Sequence, residues 1–470
     1  MLIVTLDGSS KRPLYEQIYE HIKSEIKAGR LSIHQKLPST RSLSNHLAVS
    51  RSTVDLAYNQ LLSEGYIESV PKSGYYVAGT LTLLDIKEKK NIPMENKSEQ
   101  NGDVRYDFSP FTVDISSFPF STWRKLSSQC MNDMNQGIFL LGENQGDYEL
   151  REAISRYLHD SRGVNCEPAQ IVIGAGADYL LQLLAQLLNK KQRIAIENPT
   201  YMRAYHILKG MGFDISPIEM EKDGIDIGKL TESEAEVVYV TPSHQYPLGI
   251  VMPIKKRLKL LEWAAAKEDR YIIEDDHDSE FRYIGKPIPS LQGIDVNDRV
   301  IYMGTFSRAI APAIRVGYMV LPESLLRRYR EEFYYYASTV SRIDQSIISK
   351  FIEGGYFERH LNKMRTRYKA KHDVMIKALK IFDGKIRISG ENAGLHLVVE
   401  FLEEESEEAV IKKAAENGIR LYGLTPHCIG KNLFKHPVIL LGYSNLSEED
   451  IISGVRELYE NMYNNYKLIL

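Results

Sequence analysis

The chain has 470 residues, 43% hydrophobic and 26% charged, an ordinary balance for a globular protein and enough length for two or three domains. Its formal net charge of -3 excludes a global pull toward nucleic acid, so any DNA-binding part must be local. Three scattered cysteines (Cys130, Cys166, Cys428) exclude a disulfide framework or a CxxC metal site, no metal is expected, and the absence of an apolar run of about 18 residues or a signal-type N-terminus points to a cytoplasmic protein without membrane contact.

In chain order, Leu14, Ile18, His21, Ile22, Glu25 and Ile26 recur at mainly helical spacing, which predicts an amphipathic helix that stops at Gly29. Ser39 is a good N-cap for a second helix with Leu43 and Leu47 facing inward. After the turn Ala48-Val49-Ser50, Ser50 caps a third helix over Arg51–Ser63, ended by Gly65. Tyr66 to Val77 then reads as two strands around a Pro-Lys-Ser-Gly tip. Three helices and a hairpin in this order form a helix-turn-helix with a wing. The third helix presents Ser50, Arg51, Ser52 and Thr53 at its N-terminal end, where amides favour phosphate and side chains reach base edges. Residues 1–80 carry nine Lys/Arg against seven Asp/Glu, so a single copy would hold DNA weakly and a dimer reading two half-sites is expected.

Residues 80–105 include Lys87-Glu88-Lys89-Lys90 and Glu95 to Gly102, a polar run read as a linker, with Leu81 to Ile86 able to dock on a neighbour. From residue 106 to 470, short apolar strands alternate with helices. Strands are expected at Ile171–Ile173, Arg193–Ile196, Val237–Val240, Tyr271–Ile273 and Val300–Met303, and helices at Tyr179–Leu188 and Lys255–Ala266. This alternation predicts an α/β domain with a mostly parallel sheet. Each strand is followed by a loop with chemical content. Gly174-Ala175-Gly176-Ala177-Asp178 offers helix N-terminal amides to a phosphate. Asn198-Pro199-Thr200-Tyr201 offers an aromatic face, and Thr241 to Gly249 carries His244. Glu274-Asp275-Asp276-His277-Asp278 offers carboxylates, and Thr305-Phe306-Ser307-Arg308 precedes Arg315. Each loop alone also has a plainer reading: a βα turn, a core tyrosine, a solvated or metal-binding acidic loop. Together they sit at the C-terminal ends of successive strands, where open α/β sheets bind ligands.

Lys-Leu-Pro-Ser-Thr-Arg-Ser-Leu-Ser, Val-Ser-Arg-Ser-Thr-Val and Leu-Leu-Ser-Glu-Gly-Tyr-Ile, all within residues 11–78, closely resemble the GntR-type winged helix-turn-helix. That resemblance implies a DNA-binding domain over residues 1–79, with contacts from Ser39, Thr40, Arg41, Ser50, Arg51, Ser52, Thr53, Lys72, Ser73 and Gly74. Asp55 departs from relatives that carry a basic residue there. Residues 106–470 resemble a fold-type I aminotransferase of class I/II with a smaller C-terminal α+β part. The combination, with Thr-Pro-Ser-His-Gln and Tyr-Ile-Ile-Glu-Asp-Asp, looks like the MocR/GabR regulators. It implies double-stranded operator DNA, a small-molecule effector and a head-to-tail homodimer as partners, and pyridoxal 5'-phosphate as cofactor. By the same resemblance the cofactor contacts are Gly176, Ala177, Asp178, Tyr201, His244, Asp275, His277, Thr305, Ser307, Arg308 and Arg315, with Arg203 and Asn445 toward the ligand.

Three positions depart from the family pattern. Arg308 stands where the Schiff-base lysine belongs, His277 replaces a tyrosine, and Asn445 replaces the arginine that grips a substrate carboxylate. A Schiff base needs a neutral amine, and a guanidinium with a pKa of roughly 12.5–13.8 supplies none at neutral pH. Pyridoxal phosphate is therefore expected without an internal aldimine, alone or as an amino-acid adduct, or else another anionic effector takes its place. Arg308 then either contacts the ligand or pairs with Asp275 or another acid. The expected protein is a transcriptional regulator with a catalytically silent sensor domain. The alternative is a pyridoxal phosphate-dependent aminotransferase with a DNA-binding regulatory domain.

Overall fold

The computed structural model describes residues 4, 6–8, 10, 12–79, 104–132, 136–283, 288–431 and 434–463. The expected linker, with the Leu81–Ile86 stretch, lies outside them except for its last two residues, 104 and 105. Contacts divide the chain into two compact units, Met1–Glu99 and Gln100–Leu470.

In the first unit, helices span Leu14–Lys27, Thr40–Leu47 and Arg51–Ser63, and strands Ile67–Val70 and Gly74–Val77 pair antiparallel with Ile67 opposite Val77. Helical spacing brings Ile18, Ile22 and Ile26 onto one face, where they meet Val54, Ala57, Tyr58 and Leu61 of the third helix. Leu14 instead stays 36% exposed, because it begins the helix ahead of this contact. The Tyr58 hydroxyl donates to the Pro38 carbonyl at 2.9 Å, tying the third helix to the start of the second. Both expected caps form: Ser39 Oγ accepts from the Ser42 amide at 3.1 Å, and Ser50 Oγ from the Thr53 amide at 3.2 Å. Ser39→Ala should destabilise this unit by about 1 kcal/mol. Faster hydrogen exchange of amides in helix Thr40–Leu47 would report it, and unchanged exchange would contradict it.

The second unit is built on an eight-stranded sheet in the order 171–174, 317–320, 300–305, 271–275, 237–240, 193–198, 214–221, 224–225. Its central pairs are parallel, as the apolar runs predict. Ile194 and Ile196 pack on one face with Leu180, Leu184 and Leu187, while Ala195 joins Leu260, Trp263 and Ala264 on the other. Burial on both faces explains why these strands read as continuous hydrophobic stretches. Strand Gly317–Val320 runs antiparallel to both neighbours. Its connection from Val300–Thr305 is a short loop with one 3-10 turn at Pro312–Ile314, too short for a crossover helix, so the chain doubles back. A second sheet, order 386–389, 396–401, 438–442, 422–423, is antiparallel and packs with helix Glu448–Tyr463. No helix of the described residues is long and apolar enough to cross a membrane.

Candidate ligand cavity and DNA-reading face

In the first unit, Ser39, Arg41, Ser50, Arg51, Ser52 and Lys72 are exposed, and Thr53, Ser73 and Gly74 are partly so. Thr40 is a correction: at 6% exposure it packs into the unit's interior, because it shares the buried helix face of Leu43 and Ser44, three and four residues on. Arg51 lies at the first position of its helix and pairs with Asp55 one turn on, at 3.6 Å. So exposed a pair is weak and leaves the guanidinium free to turn toward a base or phosphate. Ser50 Oγ also lies 2.8 Å from both Ser52 Oγ and Thr53 Oγ1, so capping fixes the polar cluster at the helix tip. In the hairpin, Lys72 adopts φ 62°, which a left-handed tip demands, and Gly74 adopts φ 118°.

In the second unit, a cavity of about 420 Å³ opens at the C-terminal ends of the parallel strands. Its wall gathers Ala177, Asp178, Tyr201, Arg203, Asp275, His277, Thr305, Ser307, Arg308 and Arg315, residues spread over 139 positions of sequence from 177 to 315. Gly176 sits at φ 87° behind the wall, a left-handed conformation that favours glycine, and a Cβ there would come 2.8 Å from Arg315 Nη2 and oblige the guanidinium to shift. His244 is buried beneath the wall, its ring parallel to that of His277 at 6.3 Å. Asn445 is not brought here. Its amide is held by Thr112 Oγ1 at 2.9 Å and the Asp107 carbonyl at 3.2 Å, and it borders a different cleft with Arg367 and Lys371.

One end of the cavity suits a phosphate. The first amides of helix Ala177–Leu187 lack intrahelical acceptors, Ser307 Oγ is buried with no hydrogen-bond partner among the described residues, and Arg315 lines the same wall. Asp178 meanwhile holds Arg315 at 3.3 Å and Arg203 at 3.5 Å. At the inner end, the Tyr239 hydroxyl donates to Asp275 Oδ2, and burial pushes the Asp275 carboxyl up to about 6, with the charges of Asp276, Asp178 and Asp278 adding to the rise and the Tyr239 bond opposing it. Neighbouring Asp276 is committed elsewhere: it accepts from Arg162 Nε at 2.9 Å and Nη2 at 3.0 Å, and from the Tyr302 hydroxyl at 2.5 Å. Burial alone would raise its carboxyl, and the Arg162 charge with the hydrogen bonds from Tyr302, Arg162 and Ser279 together outweighs that and holds it low.

Arg308 is anchored by protein groups. Its Nε lies 2.5 Å from Asp278 Oδ1, and Nη1 donates to the Pro110 carbonyl at 3.0 Å. Its acid partner is therefore Asp278 rather than Asp275, and Nη2 is buried with no hydrogen-bond partner among the described residues. Burial pushes the Asp278 carboxyl up, and the Arg308 charge together with the neighbouring His277, His244 and His396 outweighs that and holds it low. Residues that the sequence reading did not assign also matter here. Tyr239 orients Asp275, and Phe111, Tyr246 and His427 close the cavity wall. The motif around Tyr246 was visible in the sequence. Tyr239, inside an apolar strand, carried no such signal.

Comparison with known proteins agrees with both units. Residues 14–77 match the bacterial regulatory proteins of the gntR family, and residues 112–434 match aminotransferase class I and II. The uncharacterized HTH-type transcriptional regulator YhdI of Bacillus subtilis is 40% identical over 96% of each chain. The probable rhizopine catabolism regulatory protein MocR of Rhizobium meliloti is 31% identical over 97% of this chain and 95% of its own. The chain belongs to the MocR-like transcriptional regulators. Another such relative, the pyridoxine biosynthesis regulator PdxR of Corynebacterium glutamicum, is 30% identical over 90% of this chain and 91% of its own. The multiple substrate aminotransferase of Thermococcus profundus shares the fold of the large unit at TM-score 0.68 and 25% identity, over 78% of this chain and 93% of that one. A MocR-like regulator thus keeps an aminotransferase fold, and this one keeps it with arginine at position 308.

Proposed function

We propose that this MocR-like chain is a cytoplasmic, head-to-tail homodimeric regulator that reads two operator half-sites, and that its large unit senses an anionic ligand without forming a covalent bond to it. Pyridoxal phosphate, alone or carrying an amino acid, is the first ligand to try. The observation that carries this reading is the state of Arg308, tied to Asp278 and the Pro110 carbonyl while Ser307, Arg315 and Asp275 remain turned to the cavity.

When bound, pyridoxal phosphate supplies an electron-accepting ring and an aldehyde. The helix amides at Ala177 and Asp178, with Ser307 and Arg315, would hold its phosphate, taking over the guanidinium that Asp178 now pairs with. Asp275 would meet its ring nitrogen, and Tyr201 would border the ring. Arg308 offers Nη2 to an anionic oxygen, and neither it nor its neighbours supplies a neutral amine. Ligand and operator are then linked: a ligand that binds the DNA-bound and free forms unequally changes operator affinity by the same factor.

The operator is obtained by enriching random DNA on the purified full chain. Arg51→Ala should weaken binding to that site by about 1–3 kcal/mol, roughly 5- to 150-fold, in a gel-shift titration. Unchanged specific binding would defeat the reader assignment. Calorimetry with pyridoxal phosphate and its reduced amino-acid adducts tests the sensor, and absence of heat with all of them would defeat the ligand named here.

A further inference from the structure

At the inner wall of the cavity, His277 and Asp278, with the buried His244 behind them, bring one donor atom each to within 4.8 Å of one another. They come from the ends of two adjacent strands, Val237–Val240 and Tyr271–Asp275, so their separation in sequence hides the set and no metal is expected from it. His244 is 1% exposed and Asp278 3%. Among the described residues, neither ring nitrogen of His244 nor Nδ1 of His277 makes a hydrogen bond of good geometry, although His244 approaches the Ala393 backbone. An unsatisfied buried polar atom costs about 1–3 kcal/mol, and one donor atom from each of these three side chains lies close enough to the others for a single shared partner.

The chemistry of the set suits a metal ion. A neutral imidazole offers a lone pair on one ring nitrogen, and a carboxylate offers an oxygen. Asp278 Oδ2 lies 3.7 Å from His277 Nδ1, while Oδ1 is the oxygen paired with Arg308. Metal–ligand bonds of roughly 2.0–2.2 Å in a tetrahedron separate donors by about 3.4 Å, so a small inward rotation of the three side chains completes the geometry. Arg308 would hold the outer oxygen of the ligating carboxylate, the role of an outer-shell orienting group. Its charge opposes a cation, and Asp278 is the carboxylate that pairs with it.

We propose that His244, His277 and Asp278 form a binding site for a divalent transition metal of the zinc class, with an open coordination position toward the cavity that accepts an anionic oxygen donor. Two neutral imidazoles and one carboxylate leave a tetrahedral ion one ligand short, as in sites that bind exchangeable groups. The site stands independently of pyridoxal phosphate, which need not be present for the metal to bind.

The test uses the full chain, stripped with chelator and free of pyridoxal phosphate. Zinc is titrated by calorimetry, and cobalt(II) is followed by its visible absorption. About one ion per chain is expected, with a cobalt spectrum of low coordination number that shifts when acetate is added. His277→Tyr and His277→Gln should each weaken zinc by more than the ~10–100-fold that an outer-shell loss costs, with circular dichroism unchanged. No zinc binding at micromolar concentration overturns the proposal, as does binding that both variants retain in full. If one variant misfolds, the other decides. Because these titrations contain no pyridoxal phosphate, their failure is distinct from a failure of the ligand reading.

Discussion

Arg308→Lys is expected to make the protein turn yellow with pyridoxal phosphate and keep the cofactor after borohydride reduction, whereas the natural chain shows no mass gain under the same treatment. The difference lies in the nucleophile. Lysine has an ordinary pKa near 10.4 and reaches its neutral form at accessible pH, while a guanidinium does not. The rest of the cavity stays in place in the variant, since the helix N-terminus, Ser307, Arg315 and Asp275 belong to other positions on its wall. Asp278 is the complication. The carboxylate that pairs with Arg308 at 2.5 Å would favour a charged amine, so covalent capture should rise as pH increases. Intact-mass spectrometry at several pH values reads both effects. Covalent capture by the natural chain would mean that a lysine other than one at position 308 reaches the cofactor, and the silent-sensor reading would fail.

Arg162→Ala should be the most destabilising single change considered, by about 3–5 kcal/mol, because it strands a buried carboxylate. Asp276 is enclosed, and Arg162 gives it two hydrogen bonds while also donating to the Ile288 carbonyl at 2.6 Å and to Ser243 Oγ. The pair pins the start of the loop that carries His277 and Asp278, so the cavity's inner wall depends on it. Its pH dependence has a definite sign. The folded-state pKa of Asp276 is depressed, so its contribution is present above the ordinary aspartate pKa of about 3.9 and is lost as pH falls through the folded value. In the variant, burial without Arg162 favours the protonated acid, so the stability deficit should be largest near neutrality and shrink on acidification. Urea denaturation at neutral and mildly acidic pH measures it, with Asp276→Asn in the Arg162→Ala background recovering part of the loss. A deficit below about 1 kcal/mol at neutral pH would place the pair among those that contribute little.

What the sequence disclosed was local. Caps at Ser39 and Ser50, the isoleucine spacing of the first helix and the apolar strands each depend on neighbours a few residues away, and all appear in the structure. The loops after those strands were legible for the same reason, and the parallel sheet brings them to one rim. What depended on distant partners was hidden. Spacing alone cannot show that Arg308 meets Asp278, that Tyr239 orients Asp275, or that Thr112 and the Asp107 carbonyl hold Asn445 away from the cavity. Strand Asp214–Glu221 escaped because it lies near the sheet edge and alternates polar with apolar residues. Thr40 is buried through its place on the helix face of Leu43 and Ser44, which its residue type alone does not disclose.

In the proposed function, one chain reads DNA in a sequence-specific way and its aminotransferase-like unit adjusts this reading without covalent chemistry. The most direct measurement is fluorescence anisotropy of the purified full chain on its enriched DNA site, with and without pyridoxal phosphate, followed by intact mass of the same sample after borohydride. The account predicts tight binding to that site, a changed affinity when pyridoxal phosphate is present, and no covalent adduct. Binding indifferent to DNA sequence, or a covalent adduct on the natural chain, would contradict it.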